Sequence, residues 1–206
     1  MTDRLLKQMV EWEIIRSEDE EIYRFGLEGL LLKAVHYMSY LLMAVLSRQT
    51  ASFLIFFAAF LLLRRNGGGY HARTRTRCYL LSCAAVICAL VVMRMISQWT
   101  GGAVMMAGLV LAADMVFCMA APAENGNRPL DEEEKKYFRK RCLGWLAVIN
   151  VCFWLADILG KKTCASALML AAVCEAMLLL LGKLQNGKKK LEIEQEQEIR
   201  NGCKKS

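Results

Sequence analysis

Apolar segments at about 27–47, 50–63, 78–98, 102–121, 142–160 and 163–184 follow one another with little chain between them. This pattern constrains the fold more than any other feature of the sequence. A helix needs about 20 apolar residues to cross the hydrocarbon core, and most of the segments reach that length. In lipid every backbone polar group must find its partner within the chain, which leaves helices or a closed barrel. Long runs without two-residue alternation predict helices. The two prolines, Pro122 and Pro129, lie together in one polar stretch, so none interrupts an apolar segment. The segment at 50–63 is shorter, reaching roughly 20 Å at ~1.5 Å per residue. It either borrows flanking residues or crosses a thinned bilayer. The expected fold is all-α, a polytopic membrane helical bundle of about six transmembrane helices. Four is the alternative if one pair is buried or re-entrant.

Charge then orients the bundle. Of the 206 residues 56% are hydrophobic, and the formal net charge is +7. In a chain of this class a basic excess reports cytoplasmic loops facing anionic lipid, not nucleic-acid binding. Residues 64–77 carry Arg64, Arg65, Arg73, Arg75 and Arg77 and no acid. Residues 121–141 carry Arg128, Lys135, Lys136, Arg139, Lys140 and Arg141, and the stretch after 182 begins with Lys183 and Lys188. The alternate connections are short, and Lys161 and Lys162 are the mild exception. Six spans place every basic loop and both termini on the cytoplasmic face.

Three regions follow. Residues 1–26 form an N-terminal amphipathic interfacial region, with Leu5, Leu6, Met9, Val10 and Trp12 at helical spacing between charges. Packing of that face on protein explains the same spacing equally well. Ser17 followed by Glu20 has the form of a capping box opening a second short helix. Residues 27–184 form the transmembrane domain, and 185–206 a charged, solvated cytoplasmic tail. No cleavable signal is read at the N-terminus. The nine cysteines are odd in number, and most lie in apolar runs, which suits reduced thiols.

One connection carries chemistry. It reads Arg64-Arg65-Asn66-Gly67-Gly68-Gly69-Tyr70-His71-Ala72-Arg73-Thr74-Arg75-Thr76-Arg77-Cys78. Glycines let a backbone approach a neighbouring helix or a ligand closely. A thiol attacks as thiolate and needs a base or a positive environment. His71 can supply the first, and the arginines with a helix N-terminus near Cys78 the second. A straight helix would separate the two Cα atoms by about 10 Å along its axis. A nucleophile and its base need roughly 3 Å. The stretch 64–77 is therefore expected to break, with the glycine run turning His71 back toward Cys78. On chemistry alone a solvated basic loop is the stronger reading.

The motif Gly68-Gly69-Tyr70-His71-Ala72 with Cys78, preceded by Arg64-Arg65, resembles the accessory gene regulator B (AgrB) family, bacterial membrane endopeptidases of quorum-sensing pro-peptides. The loop Ala121-Pro122-Ala123-Glu124-Asn125-Gly126-Asn127-Arg128-Pro129-Leu130 is similar to that family's loop after the fourth span. The likeness covers roughly 25–185. It implies a cysteine endopeptidase in the bacterial cell membrane, active site inward, with His71 and Cys78 as catalytic pair. It also implies the substrate, an AgrD-like pro-peptide with an amphipathic N-terminal helix, a central Cys or Ser and an acidic C-terminal tail. Cys78 would attack before the tail, and the substrate's own Cys or Ser would capture the thioester as a thiolactone or lactone. Arg64 and Gly69 are the first supporting residues on this reading, with Arg65, Gly68 and Tyr70 beside them. Arg73, Arg75 and Arg77 can hold the acidic tail. No cofactor or metal is implied, since His71, Cys78 and Cys83 lack the further ligands zinc wants. The bilayer is a partner, and a homodimer would give a small bundle more shelter for a peptide.

Two other readings compete. Arg94, Asp114, Asp157 and Glu175 lie inside apolar segments, where ionisable groups are costly. They line a path in a peptide or ion transporter, or they form interhelical pairs, Arg94 with Asp114 first among them. A non-catalytic membrane scaffold, its basic loops binding lipid or a partner, is the third reading.

Overall fold

The computed structural model describes the backbone at 2–70, 74–98, 102–123 and 131–203. Its elements are α1 (Thr2–Glu11), a 3₁₀ turn (Ser17–Asp19), α2 (Glu20–Leu46), α3 (Thr50–Gly67), α4 (Arg75–Gln98), α5 (Gly102–Ala120), α6 (Glu132–Ile158) and α7 (Lys162–Cys203). The described residues form no strand, only an isolated parallel bridge between Gly68 and Ala123. Six helical stretches among them are long and apolar enough to cross a membrane: Ser17–Leu46, Thr50–Gly67, Arg75–Ile96, Ala103–Ala120, Glu132–Ile158 and Lys162–Lys188. The chain is thus an all-α, multi-pass membrane protein with six candidate spans. The short segment borrows flanking residues, because α3 continues through Arg64, Arg65, Asn66 and Gly67.

The chain divides into two compact units at Arg48 and Gln49. In the first, α1 packs on α2. Leu6 and Ile15 are buried, whereas Leu5, Trp12 and Ile14 are exposed. Arg24 bridges Asp3 of α1 at 3.2 Å and Glu20 of its own helix at 3.0 Å. Exposed pairs of this kind add little stability. The capping box at Ser17 does not form. Arg16 precedes the 3₁₀ turn and Asp19 precedes α2, and neither makes a side-chain cap bond. The turn feeds directly into α2, with the Glu20 N–H already bonded to the Ser17 carbonyl, so no separate helix start remains to cap. The boundary drawn at residue 26 accordingly falls inside α2.

In the second unit α7 is the central element and packs on α3, α4, α5 and α6. Ala165, Ser166, Ala167, Ala171, Ala172 and Ala176 are all buried. Small side chains let backbones approach, which is how helices associate where lipid removes the hydrophobic drive. The large apolar side chains of α4, α5 and α6, such as Leu81, Val91, Met115 and Val151, are exposed. That is the surface a bilayer solvates. The helix α7 also runs past the membrane-length stretch to Cys203, so the stretch at 185–203 is helical. Its Lys, Glu, Gln and Leu residues have high helix propensity, and proline is absent.

A polar contact joins α5 and α6. The Asn150 side-chain amide of α6 donates to both carboxylate oxygens of Asp114 in α5, each at 2.9 Å. Asp114 is thus bonded by an amide, not by Arg94 as its charge suggested. Interhelical hydrogen bonds in membranes contribute about 0.6–2 kcal/mol. Replacing Asn150 by Leu should lower the thermal unfolding midpoint in detergent by an amount equivalent to about 1 kcal/mol. An unchanged midpoint would remove this contact from the stability of the bundle.

Candidate active site

The end of α3 and the end of α5 meet at one end of the second unit, with residues of α6 and α7 beside them. Contacts between them fix this. The Ala123 N–H, just after α5, donates to the Gly67 carbonyl at 2.8 Å. Lys183 Nζ of α7 donates to the Met119 carbonyl at 2.7 Å, and an Arg139 guanidinium N–H of α6 to the Cys118 carbonyl at 3.0 Å. Both cations cap the last turn of α5, where carbonyls lack helical partners. Three stretches singled out by their charge thus gather at the same end, and part of that charge is structural.

The stretch 64–77 breaks as the spacing argument required. Helix α3 ends at Gly67, and the chain turns at Gly68 with φ 74° and Gly69 with φ 118°. An L side chain rarely adopts either value. Space excludes one as well. A Cβ on Gly69 would overlap Arg64 Nη1 and lie 2.9 Å from the Leu178 carbonyl oxygen. Tyr70 follows, and its N–H donates to the Leu178 carbonyl of α7 at 3.0 Å. Mid-helix carbonyls are normally occupied by their own helix. This bond requires the loop to lie directly on α7.

Gly182 makes that approach possible. A Cβ there would lie 2.8 Å from Gly69 C and 2.9 Å from both Gly69 Cα and Tyr70 N. A glycine on the loop and a glycine on the helix therefore meet backbone to backbone.

Arg64 holds the loop from its other side. Its side chain is 20% exposed, and Nη1 lies 3.7 Å from Oε1 of Glu175, which is fully buried in α7. Nη1 donates to the Gly68 carbonyl and Nη2 to the Tyr70 carbonyl, each at 2.5 Å. A planar guanidinium suits such two-point recognition. The Tyr70 carbonyl belongs to the peptide bond that leads into His71. One residue of α3 thus fixes the backbone up to Tyr70, the residue before His71. Arg65, by contrast, is exposed.

His71, Ala72 and Arg73 lie outside the described residues. The chain resumes at Thr74, whose hydroxyl accepts the Arg77 N–H at 3.3 Å and caps α4. Cys78 occupies the first turn of α4, half-buried, with its N–H bonded to the Thr74 carbonyl at 3.0 Å. Arg75 and Arg77 beside it are exposed. The eight cysteines from Cys78 to Cys174 are all free thiols.

The family model for accessory gene regulator B matches residues 2–179. The chain belongs to that family. Its role is therefore in the processing of quorum-sensing pro-peptides, the task of AgrB processing proteases and cyclases. Searches of the curated proteins and of the solved structures give no match. In this AgrB-family chain the matched span includes the whole glycine loop, Cys78, Glu175 and Leu178, and ends short of Gly182.

Two participants escape the sequence, and so does the partner of a third. Gly182 looked like an unremarkable glycine at the end of an apolar run, and only contact with Gly69 gives it meaning. The Leu178 contribution is a backbone carbonyl, which carries no residue signal. Glu175 was visible as an intramembrane charge, but its partner was not. The arginine at 64 was the available clue, since a buried carboxylate requires a nearby cation.

Proposed function

We propose that this chain is a membrane cysteine endopeptidase that removes the acidic tail of an AgrD-like pro-peptide and lets the remainder cyclise. The observation that carries the reading is the pinned glycine loop. Arg64, Leu178 and Gly182 hold its backbone as far as Tyr70, one residue before His71. Cys78 lies in the first turn of α4, where the positive end of the helix dipole and the flanking arginines concentrate positive charge. Loops are rarely anchored so heavily unless geometry matters beyond them.

The chemistry follows. The Cys78 thiolate attacks the carbonyl carbon of the scissile peptide bond. The carbon–nitrogen bond breaks, and imidazolium His71 protonates the departing amine of the tail. A thioester joins Cys78 to the pro-peptide. The thiol of the substrate's central Cys then attacks that thioester, gives its proton to His71, and leaves Cys78 free. Exchange of one thioester for another is nearly neutral in energy, so ring closure competes when water is excluded. A central Ser would give a lactone by the same route. Arg75 and Arg77, with Arg73, attract the acidic tail. Six crossings would put both termini and this loop on one face, and the basic loops support the cytoplasmic one, where a substrate helix lying on the bilayer presents its cleavage site.

The transporter reading rests on intramembrane charge. Two of those groups have local partners, Asp114 with Asn150 and Glu175 with Arg64, so neither needs a translocation path to explain it.

The direct test is reconstitution of the full chain in liposomes with a synthetic pro-peptide bearing an amphipathic helix, a central Cys and an acidic tail. Mass spectrometry should detect the freed tail and a cyclic product lighter by one water than the linear core. An intact pro-peptide after prolonged incubation counts against the proposal.

A further inference from the structure

We propose that Glu175 is a positioning residue of the catalytic loop, holding Arg64 in the pose that fixes the backbone entering His71. The inference rests on the peptidase reading above and deepens it. Glu175 is fully buried, and neither carboxylate oxygen has a hydrogen-bond partner among the described residues. Its ion-pair partner there is Arg64, at 3.7 Å, too long for a hydrogen bond and short enough for an ion pair. A buried carboxylate kept at such cost needs a purpose or a cation. Arg64 is that cation, and its two terminal nitrogens are spent on the Gly68 and Tyr70 carbonyls.

The geometry around the pair is closed. Gly67 lies against it so tightly that a Cβ there would sit 3.3 Å from Glu175 Oε1 and 3.4 Å from Cys142 Sγ. Leu179, one turn further along α7, and Cys142 are fully buried beside it. A guanidinium in such surroundings stays only while a counter-charge holds it. Without the carboxylate, Arg64 gains by turning toward water, and the two loop carbonyls lose their donors together. The helix that supplies Glu175 also supplies the Leu178 carbonyl and Gly182. Three consecutive turns of α7 thereby form one cradle, with Glu175 setting its electrostatic side.

The test is a cycle of Arg64→Gln, Glu175→Gln and the double variant, in the full chain in liposomes. Glu175→Gln should cut kcat for tail release at least tenfold with KM within twofold of wild type. The double variant should be no slower than Arg64→Gln alone, because one acts through the other. A second arm needs no substrate: limited trypsin digestion, with cleavage positions read by mass spectrometry. Loosening the loop should speed nicking after Arg73, Arg75 and Arg77 at least fivefold in Glu175→Gln. Should that variant fail to insert, Glu175→Asp carries the test, with a threefold change expected in both arms. Unchanged nicking, unchanged kcat or additive losses in the cycle each overturn the proposal. If wild type releases no tail, the peptidase reading has failed, and the nicking arm alone decides the positioning.

Discussion

Replacing Cys78 by alanine should abolish tail release, lowering its rate at least a thousandfold, while the protein still inserts and still binds pro-peptide. Removing a covalent nucleophile takes away the acyl-enzyme route, and the losses measured for such groups reach several orders of magnitude. Replacing His71 by alanine should cost about a hundredfold to ten-thousandfold, the range for a general acid–base group. The double variant should be no slower than Cys78→Ala, because the imidazole has nothing to serve once the sulfur is gone. Cys78→Ser keeps the shape but offers an alcohol, which ionises far less readily than a thiol. It should retain at most traces of activity. Iodoacetamide should inactivate the wild-type chain with its adduct on Cys78, although the seven thiols from Cys83 to Cys174 are also free. Several of those, such as Cys88, Cys118 and Cys152, are exposed, so accessibility alone does not predict the adduct. Undiminished cleavage by Cys78→Ala would end the cysteine-peptidase reading. It would leave family membership and the fold untouched, since those rest on the matched span and the helices.

The parts of this molecule that were legible in its sequence are those that follow from one-dimensional rules. Apolar length gave the six candidate spans. The clash between a helix's rise and a catalytic distance gave the break between Gly67 and Arg75. A small motif then gave the family that the matched span establishes. What stayed hidden depends on which helices touch. Asp114 meets an amide on α6 rather than the arginine nearest in kind, because packing sets partners and charge only sets preferences. The supposed capping box failed for a local reason, a 3₁₀ turn that merges with α2. Arg139 and Lys183 read as topology signals, yet both also cap α5. A positive-inside rule counts charges and does not record what they bond. Arg64 belongs to both worlds. The motif flagged it as a supporting residue, and its bonds to Gly68 and Tyr70 give that support a geometry.

Gly182→Ala poses the second large effect as a contest of signs. In an ordinary helix interior, alanine for glycine is favourable by about 1 kcal/mol, because glycine loses the most backbone freedom on folding. Gly108 in α5 and Gly144 in α6 have nothing within 4 Å of a built Cβ, so alanine there should stabilise slightly and leave cleavage unchanged. At Gly182 the same methyl would meet backbone atoms of Gly69 and Tyr70 at 2.8–2.9 Å. Backbone cannot swing aside as a side chain can. Overpacking of this kind costs about 1–3 kcal/mol, which cancels or exceeds the propensity gain. The strain is relieved most readily by lifting the loop off α7. Lifting it stretches the bond from the Tyr70 N–H to the Leu178 carbonyl and shifts the peptide leading into His71. A displacement near 1 Å at reacting groups costs on the order of a hundredfold in rate. Gly182→Ala should therefore cut tail release about a hundredfold while Gly108→Ala and Gly144→Ala, made and measured identically, do not. Gly182→Val should do no better, since its branched side chain adds bulk on the same side. Wild-type activity in Gly182→Ala would mean that the loop does not need to rest on α7, and the anchoring that supports the whole site would have to be given up.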